Sequence, residues 1–429
     1  MSSERARAVD AIAAPGAVVG TGPGCGTPTT LLHLLADHVD GSAPAELWGG
    51  LLLGDLPLDA MHQGAIRLHT WHVTRPIRPL VEQGLSAFHP LRGSEVPDVL
   101  RRRGLDVALV RVTPPDRHGF VSLGTSVSYT RTMIDAAHVV VGEVDDSMPR
   151  TAGASLVHRS RFAALVATDT STPEYQARTP SATAQRIANN LIPLLPPNAC
   201  LQLGIGEIPE AVTGLLGDSG LGPIRCIGMG NDAMVDLFER GVLDPQATTP
   251  DPAVAAVELM GSRRLLDHAH ENPAIGVYPV DQAGDPSSLG SLDRFVSINS
   301  AIEVDLLGQV SAEWVAGRQI SSIGGSVDFS ESARASRGGL RIIAMPARTG
   351  DVSRISTQLP TGTPVSLTRT MVDLLVTEHG VADLRGASVE ERRERLIGVA
   401  DPADRGRLAA PSAGSATRTA RDRSSSLNR

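Results

Sequence analysis

Short apolar runs recur along the chain, separated by turns rich in Gly and Pro. Val107-Ala-Leu-Val110 and His138-Val-Val-Val141 have the length and β-branched content of strands buried on both faces. A Gly-rich loop, 113–124, joins them. The alternation then resumes. A helical stretch over 184–195 leads to a strand at 200–203, a Gly-rich turn, and a helix over 209–216. Further strands are expected at 225–227, 295–298 and 341–344. A last helix is expected over 389–399, with the charged residues 390–395 along a solvated side. Strands alternating with helices over the whole chain predict an α/β fold.

The stretch 168–180 is rich in Thr, Ser and Pro and reads as a linker. With 429 residues, two units are expected, 1–180 and 181–409. The remainder, 410–429, is rich in Ala, Ser and Arg and is expected to be a disordered tail.

Composition narrows the function. Hydrophobic residues make up 41% but aromatic ones only 3%, so the cores must be aliphatic. A net charge of -8 argues against nucleic acid or a membrane surface as partner. All 39 basic residues are arginine, which excludes a lysine Schiff base and leaves phosphate contacts to Arg, hydroxyls and backbone N–H groups. The three cysteines, Cys25, Cys200 and Cys226, lack metal-ligand spacing, so no metal is expected and a reduced cytoplasmic setting fits. Neither a signal-type apolar segment nor a run of membrane-spanning length is read.

Four segments have the residues for chemistry. Leu201-Gln-Leu-Gly-Ile-Gly-Glu-Ile-Pro-Glu210 is a strand, a Gly-x-Gly turn and a helix start, a place where backbone N–H groups suit a phosphate or an oxyanion. Such a turn is also common for packing alone, and Pro209 stands where a dinucleotide fingerprint has its third Gly. Residues 297–310 read as a hairpin turning at Gly308-Gln309, with Glu303 and Asp305 on one face. Ile323-Gly-Gly-Ser-Val-Asp-Phe329 is a second Gly-rich loop. Val376-Thr-Glu-His-Gly380 sets Glu378 beside His379, which on a strand would point apart. His118, in the loop after Val110, is a further candidate base, as is His379.

In order and spacing, these segments resemble the acetyl-CoA hydrolase/4-hydroxybutyrate CoA-transferase family. The likeness extends over about residues 15–408 and includes Gly142-Glu-Val-Asp-Asp-Ser-Met-Pro149, with Asp145 where the family prefers Asn. It implies two α/β domains of the CoA-transferase type facing each other across a cleft, in a homodimer or larger oligomer. It implies coenzyme A, presented as a substrate thioester. The positions matching the family's thioester contacts are Gly204, Ile205, Gly206, Glu207 and Ile208, then Ala301, Gly324 and Gly325.

One position departs. The family's nucleophile is a glutamate, which attacks the acyl-CoA and becomes a glutamyl-CoA thioester. Asp232, Asp236 and Leu237 set the register of Ile224–Leu237, Met229 matches the family's Met, and the glutamate falls on Gly228. Cys226, two residues before, would share its strand face and is a candidate acyl acceptor, or simply a buried small residue. Glu207 is an added carboxylate, read either as a relocated acid or base or as a helix-start Glu favoured by the dipole. Three readings stand open. The chain processes an acyl thioester of CoA or an acyl carrier protein by acyl transfer, hydrolysis or cyclising release, in specialised metabolism. It is a conventional CoA-transferase with a relocated carboxylate, Glu207 or Glu378 first. Or it is a non-catalytic CoA-binding homologue.

Overall fold

The computed structural model describes residues 3–12, 14–39, 41–168, 170–248 and 251–410. The expected tail, apart from Ala410, lies outside them.

The fold is α/β and is built on two large sheets. The first has seven parallel strands, in the order Ala164–Ala167, Ala137–Val144, Leu105–Val112, Val18–Thr21, Ala45–Trp48, Ile66–Thr70, Ser86–Phe88. The chain starts this sheet at Val18–Thr21, adds three strands on one side, then three on the other. The second has nine strands, in the order Gly380–Asp383, Leu374–Thr377, Leu340–Ala344, Phe295–Ser300, Cys200–Leu203, Arg225–Gly230, Val254–Leu259, Ile275–Val277, Ala152–Gly153. Only Gly380–Asp383 runs antiparallel to its neighbour. After the edge strand Ala152–Gly153, the second half of the chain enters this sheet in the middle, at Cys200–Leu203, and builds first to one side and then to the other. Each sheet therefore has a switch point, the place where open parallel sheets hold ligands beyond their strand ends.

The strands anticipated at 107–110, 138–141, 200–203, 225–227, 295–298 and 341–344 all lie within strands of these sheets. The edge strand Ala152–Gly153 comes from the first half of the chain and pairs with Ile275–Val277 in the second sheet. A single apolar core runs from Val18 and Trp48 of the first half through Leu201 and Ile298 of the second.

Local chemistry sets the helices. Ala182–Leu191 begins at Ser181, whose hydroxyl accepts the Ala184 N–H at 3.2 Å. It buries Ala184, Ile187, Ala188 and Leu191, one stripe at helical spacing, and packs on Glu207–Leu216. The expected continuation to 195 is corrected: the helix tightens into a 3-10 turn, Ile192–Leu194, where Pro193 cannot donate to the helical ladder. Val389–Gly398 carries a capping box between Ser388 and Glu391.

The 297–310 segment is not one hairpin. Phe295–Ser300 belongs to the large sheet, and only Glu303–Asp305 and Val310–Ser311 pair as a hairpin. Asp305 is fully buried at its turn, accepting the N–H groups of Leu307 and Gln309 and the Gln309 side chain. Among the described residues no helix is long and apolar enough to cross a membrane.

Candidate active site

The carboxyl ends of strands from both sheets converge on a cavity of about 360 Å³. From the second sheet come Gln202, Gly204, Ile205, Gly228, Met229 and Asn299. From the first come Gly50, Leu51, Trp71 and His72, just beyond two strand ends. The Ile323–Ser326 loop closes one side. The loop and the helix it leads into, Ser326–Ala335, are tied to the first half: Gly93 donates to the Gly324 carbonyl at 3.0 Å, and Asp328 accepts the Ser94 hydroxyl at 2.8 Å and the Ser94 N–H at 3.1 Å. This size and mix of apolar walls with few polar groups suits part of a small-molecule ligand.

Five of the residues singled out from the sequence meet here: Gly204, Ile205, Gly228, Gly324 and Gly325. Gly206, Glu207 and Ile208 border a different cavity of about 380 Å³, with Ser181, Ser300 and Arg348. Ala301 packs beside the aliphatic cluster around Val304 and Val310. Glu378 lies in the turn between Leu374–Thr377 and Gly380–Asp383, where it accepts the Ala347 N–H at 2.9 Å. The expectation that Glu378 and His379 point apart is corrected. They are in a turn and not on a strand, and His379 Nε2 comes 3.8 Å from Glu378 Oε1 and 3.6 Å from Asp401. His118 sits in an exposed turn held by Asp116, which accepts the His118 and Phe120 N–H groups.

Gly228 changes the local geometry. Its φ is +105°, a conformation that L side chains rarely adopt. The pairing with Val254–Leu259 shifts between Gly228 and Met229, a bulge. A Cβ at Gly228 would lie 3.3 Å from the Leu203 carbonyl oxygen, 3.5 Å from the Gln202 side chain and 3.8 Å from Phe329. That is the face of Ile227, which packs with Phe329, and not the face of Cys226. The expectation that Cys226 shares the face of position 228 therefore fails, because the positive φ breaks two-residue alternation. Cys226 is buried in the main core, and burial pushes its thiol well above the usual range, away from thiolate chemistry.

Several groups escaped the sequence reading. His72 borders the cavity, and burial pulls its imidazole down to about 4, so it is neutral at ordinary pH. Tyr129 exchanges hydrogen bonds with both backbone groups of Gly50 and packs edge-on against Trp71. Glu258, on Val254–Leu259, borders the cavity with 6% of its surface exposed. Burial raises its carboxyl to about 7, against a smaller opposing effect of Ser128. Gln202 Oε1, Asn299 Nδ2 and Glu258 Oε2 are buried atoms with no hydrogen-bond partner among the described residues, and all three residues line this cavity. Thr74 Oγ1 is a fourth such atom. Unpaired buried polar groups are uncommon, and four around one cavity mark a place for a polar ligand.

Comparison with known proteins gives the family. Residues 6–170 match the acetyl-CoA hydrolase/transferase N-terminal domain and residues 261–411 the C-terminal domain of the same family. The chain is 36% identical to a 4-hydroxybutyrate coenzyme A transferase of Clostridium kluyveri over 384 residues, 88% of this chain and 89% of that one. It is 27% identical to an acetyl-CoA hydrolase of Saccharomyces cerevisiae, over 87% of this chain and 81% of that one. Among solved structures, RipA from Yersinia pestis superposes with a TM-score of 0.86 at 31% identity, covering 94% of this chain and 95% of the other. A 4-hydroxybutyrate CoA-transferase from Porphyromonas gingivalis gives 0.75 at 30% identity, covering 95% of each. With both domains matched and relatives similar over nearly their full length, the chain belongs to the acetyl-CoA hydrolase/transferase family, enzymes that act on acyl-CoA thioesters.

Proposed function

We propose that the chain cleaves an acyl-CoA thioester, or its carrier-protein equivalent, by direct attack of water on the thioester carbonyl, with no glutamyl-CoA intermediate. The observation that carries this reading is Gly228: at the cavity wall, on a backbone of positive φ, the position holds no carboxylate. A glutamyl thioester needs a side chain there that glycine lacks. Glu207 and Glu378, the carboxylates first considered as replacements, do not border this cavity. The thioester carbonyl is held by the glycine-rich loops at Gly204-Ile205 and Gly324-Gly325, whose backbone suits a developing oxyanion. Loss of a side chain at the reaction centre favours a bulkier acyl group, as specialised metabolism would supply. The working unit is a cytoplasmic homo-oligomer of two-domain subunits, 1–180 and 181–409.

The test is thiol release from a panel of short, medium and branched acyl-CoAs, with intact-protein mass spectrometry in parallel. Thiol release at a rate independent of added acetate, with no protein adduct, is the expected result. Release that requires a carboxylate acceptor would instead indicate CoA transfer. CoA binding without release from any thioester would mean a binding protein.

A further inference from the structure

Glu258 is an acid in an apolar strand, Val254-Ala-Ala-Val-Glu-Leu259. It lies at the seam of the two halves. Ser126 of the first half forms an antiparallel bridge with it, and the Leu259 N–H donates to the Thr125 carbonyl at 2.8 Å. Its carboxylate rests against the Gly22–Gly26 loop: a Cβ at Gly24 would come within 2.6 Å of Glu258 Oε2. Oε2 is buried and has no hydrogen-bond partner among the described residues. Among the described residues no arginine forms an ion pair with it, and the nearby buried Arg111 is engaged by Glu143 and Asp145. Across the strand pair, Glu258 stands in register with Met229, the residue after Gly228.

We propose that Glu258 is the acid–base carboxylate of this cavity, acting on the water that attacks the thioester. The inference rests on the thioester-cleaving reading above. In the step, the water oxygen forms a bond to the thioester carbon while one water proton passes to the Glu258 carboxylate. The carbon–sulfur bond then breaks, the electron pair leaves on the CoA sulfur, and Glu258 returns the proton to it. The products are the free acid and CoA thiol, and Glu258 ends ionised as it began.

Reach favours a base over a covalent nucleophile. Oε2 is buried beside Gly24. A base works through one bound water, whereas a nucleophile must itself reach the carbonyl carbon to within about 3–3.5 Å. A carboxyl raised to about 7 by burial is half ionised near neutrality, the condition in which a general base is most effective. The titratable groups facing it do not share that range. Tyr129 is raised well above its ordinary value, burial being the main cause, and burial pushes the Cys25 thiol up to about 12. His72, across the cavity, titrates at about 4.

The experiment compares thiol release by the wild type, Glu258→Gln and Glu258→Asp across pH 5–9, with CoA affinity and thermal unfolding measured on each. Glu210→Gln is the control, because burial also raises Glu210 to about 7 while it lies off this cavity. Expected for Glu258→Gln is a fall in kcat/KM of about 10²–10⁴, the usual worth of a general base. The rise in wild-type activity through pH 7 should vanish with it, while CoA affinity and folding stay intact. Glu258→Asp should keep that pH limb at reduced rate, and Glu210→Gln should keep the full profile. Turnover by Glu258→Gln within a few-fold of wild type, with the same pH limb, would overturn the inference and leave thioester cleavage standing. A hydroxylamine-sensitive adduct mapped to Glu258 would overturn it in favour of a nucleophile. A wild type that releases no thiol would remove both.

Discussion

Met229 and Glu258 face each other in register across two parallel strands, one residue past the bulge at Gly228. A carboxylate thus stands one strand away from Gly228 and reaches the same cavity from the neighbouring strand. The consequences can be tested separately.

Gly228 is held by its backbone as much as by the space around it. Any side chain there meets a φ of +105° and the Leu203 carbonyl. Gly228→Ala is expected to lose about 1–2 kcal/mol of stability in urea unfolding. Gly228→Glu carries the same backbone cost, so it should gain no acyl-CoA:acetate exchange on its own.

Gly24 positions the Glu258 carboxylate by its lack of a side chain. Gly24→Ala would bring a methyl against Glu258 Oε2 and the Met260 sulfur, on a backbone with φ of +58°. Thiol release should fall about tenfold or more. Adding Gly24→Ala to Glu258→Gln should cost little further, since both act on one group. Additive losses in that double-mutant cycle would contradict the positioning role.

The first half depends on a buried charge cluster. Arg111 has no exposed surface at its side chain and reaches Glu143 at 2.6 Å and Asp145 at 2.6 Å. It also donates to the Thr27 carbonyl, so it braces the loop that carries Gly24 and Cys25. Arg111→Met would leave two acids buried without their cation and should cost about 3–5 kcal/mol. Denaturant unfolding of the variant measures this, and an unchanged midpoint would refute it.

Glu210 links stability to pH. Burial, followed by the nearby Asp232, raises its carboxyl to about 7 from 4.5. The native state then holds a proton that the unfolded chain has released between those values. Stability from this group is complete below about pH 4.5 and is lost as pH rises through 7. Glu210→Gln should match the wild type at pH 4.5 and exceed it at pH 8, by up to about 3 kcal/mol. Thermal unfolding at the two pH values reads the difference directly.

The α/β alternation and the strand and helix on either side of the Gly204–Gly206 turn were legible because they rest on local signals: apolar runs and Gly-rich turns. Glu258 was not. Its strand, Val-Ala-Ala-Val-Glu-Leu, is short and two of its six residues are alanine, so strand propensity marks it weakly. The signal that could have found it was a lone acid inside an apolar run, since such acids are rarely buried without purpose. Cys226 misled for another reason. Two-residue alternation assumes extended backbone, and the positive φ at Gly228 is a property of the folded strand. Glu207 and Gly206 sit next to Ile205 in the chain but open on another cavity, because the helix start turns the chain away within one residue.

The strand Ala152–Gly153 has a mechanical meaning. It leaves the first half to finish the sheet of the second, and its pairing with Ile275–Val277 rivets the two walls of the cavity at one edge. A hinge that swung the walls apart would have to strip that strand from its neighbour and cut the continuous apolar core. The two walls of the cavity are therefore held as one block.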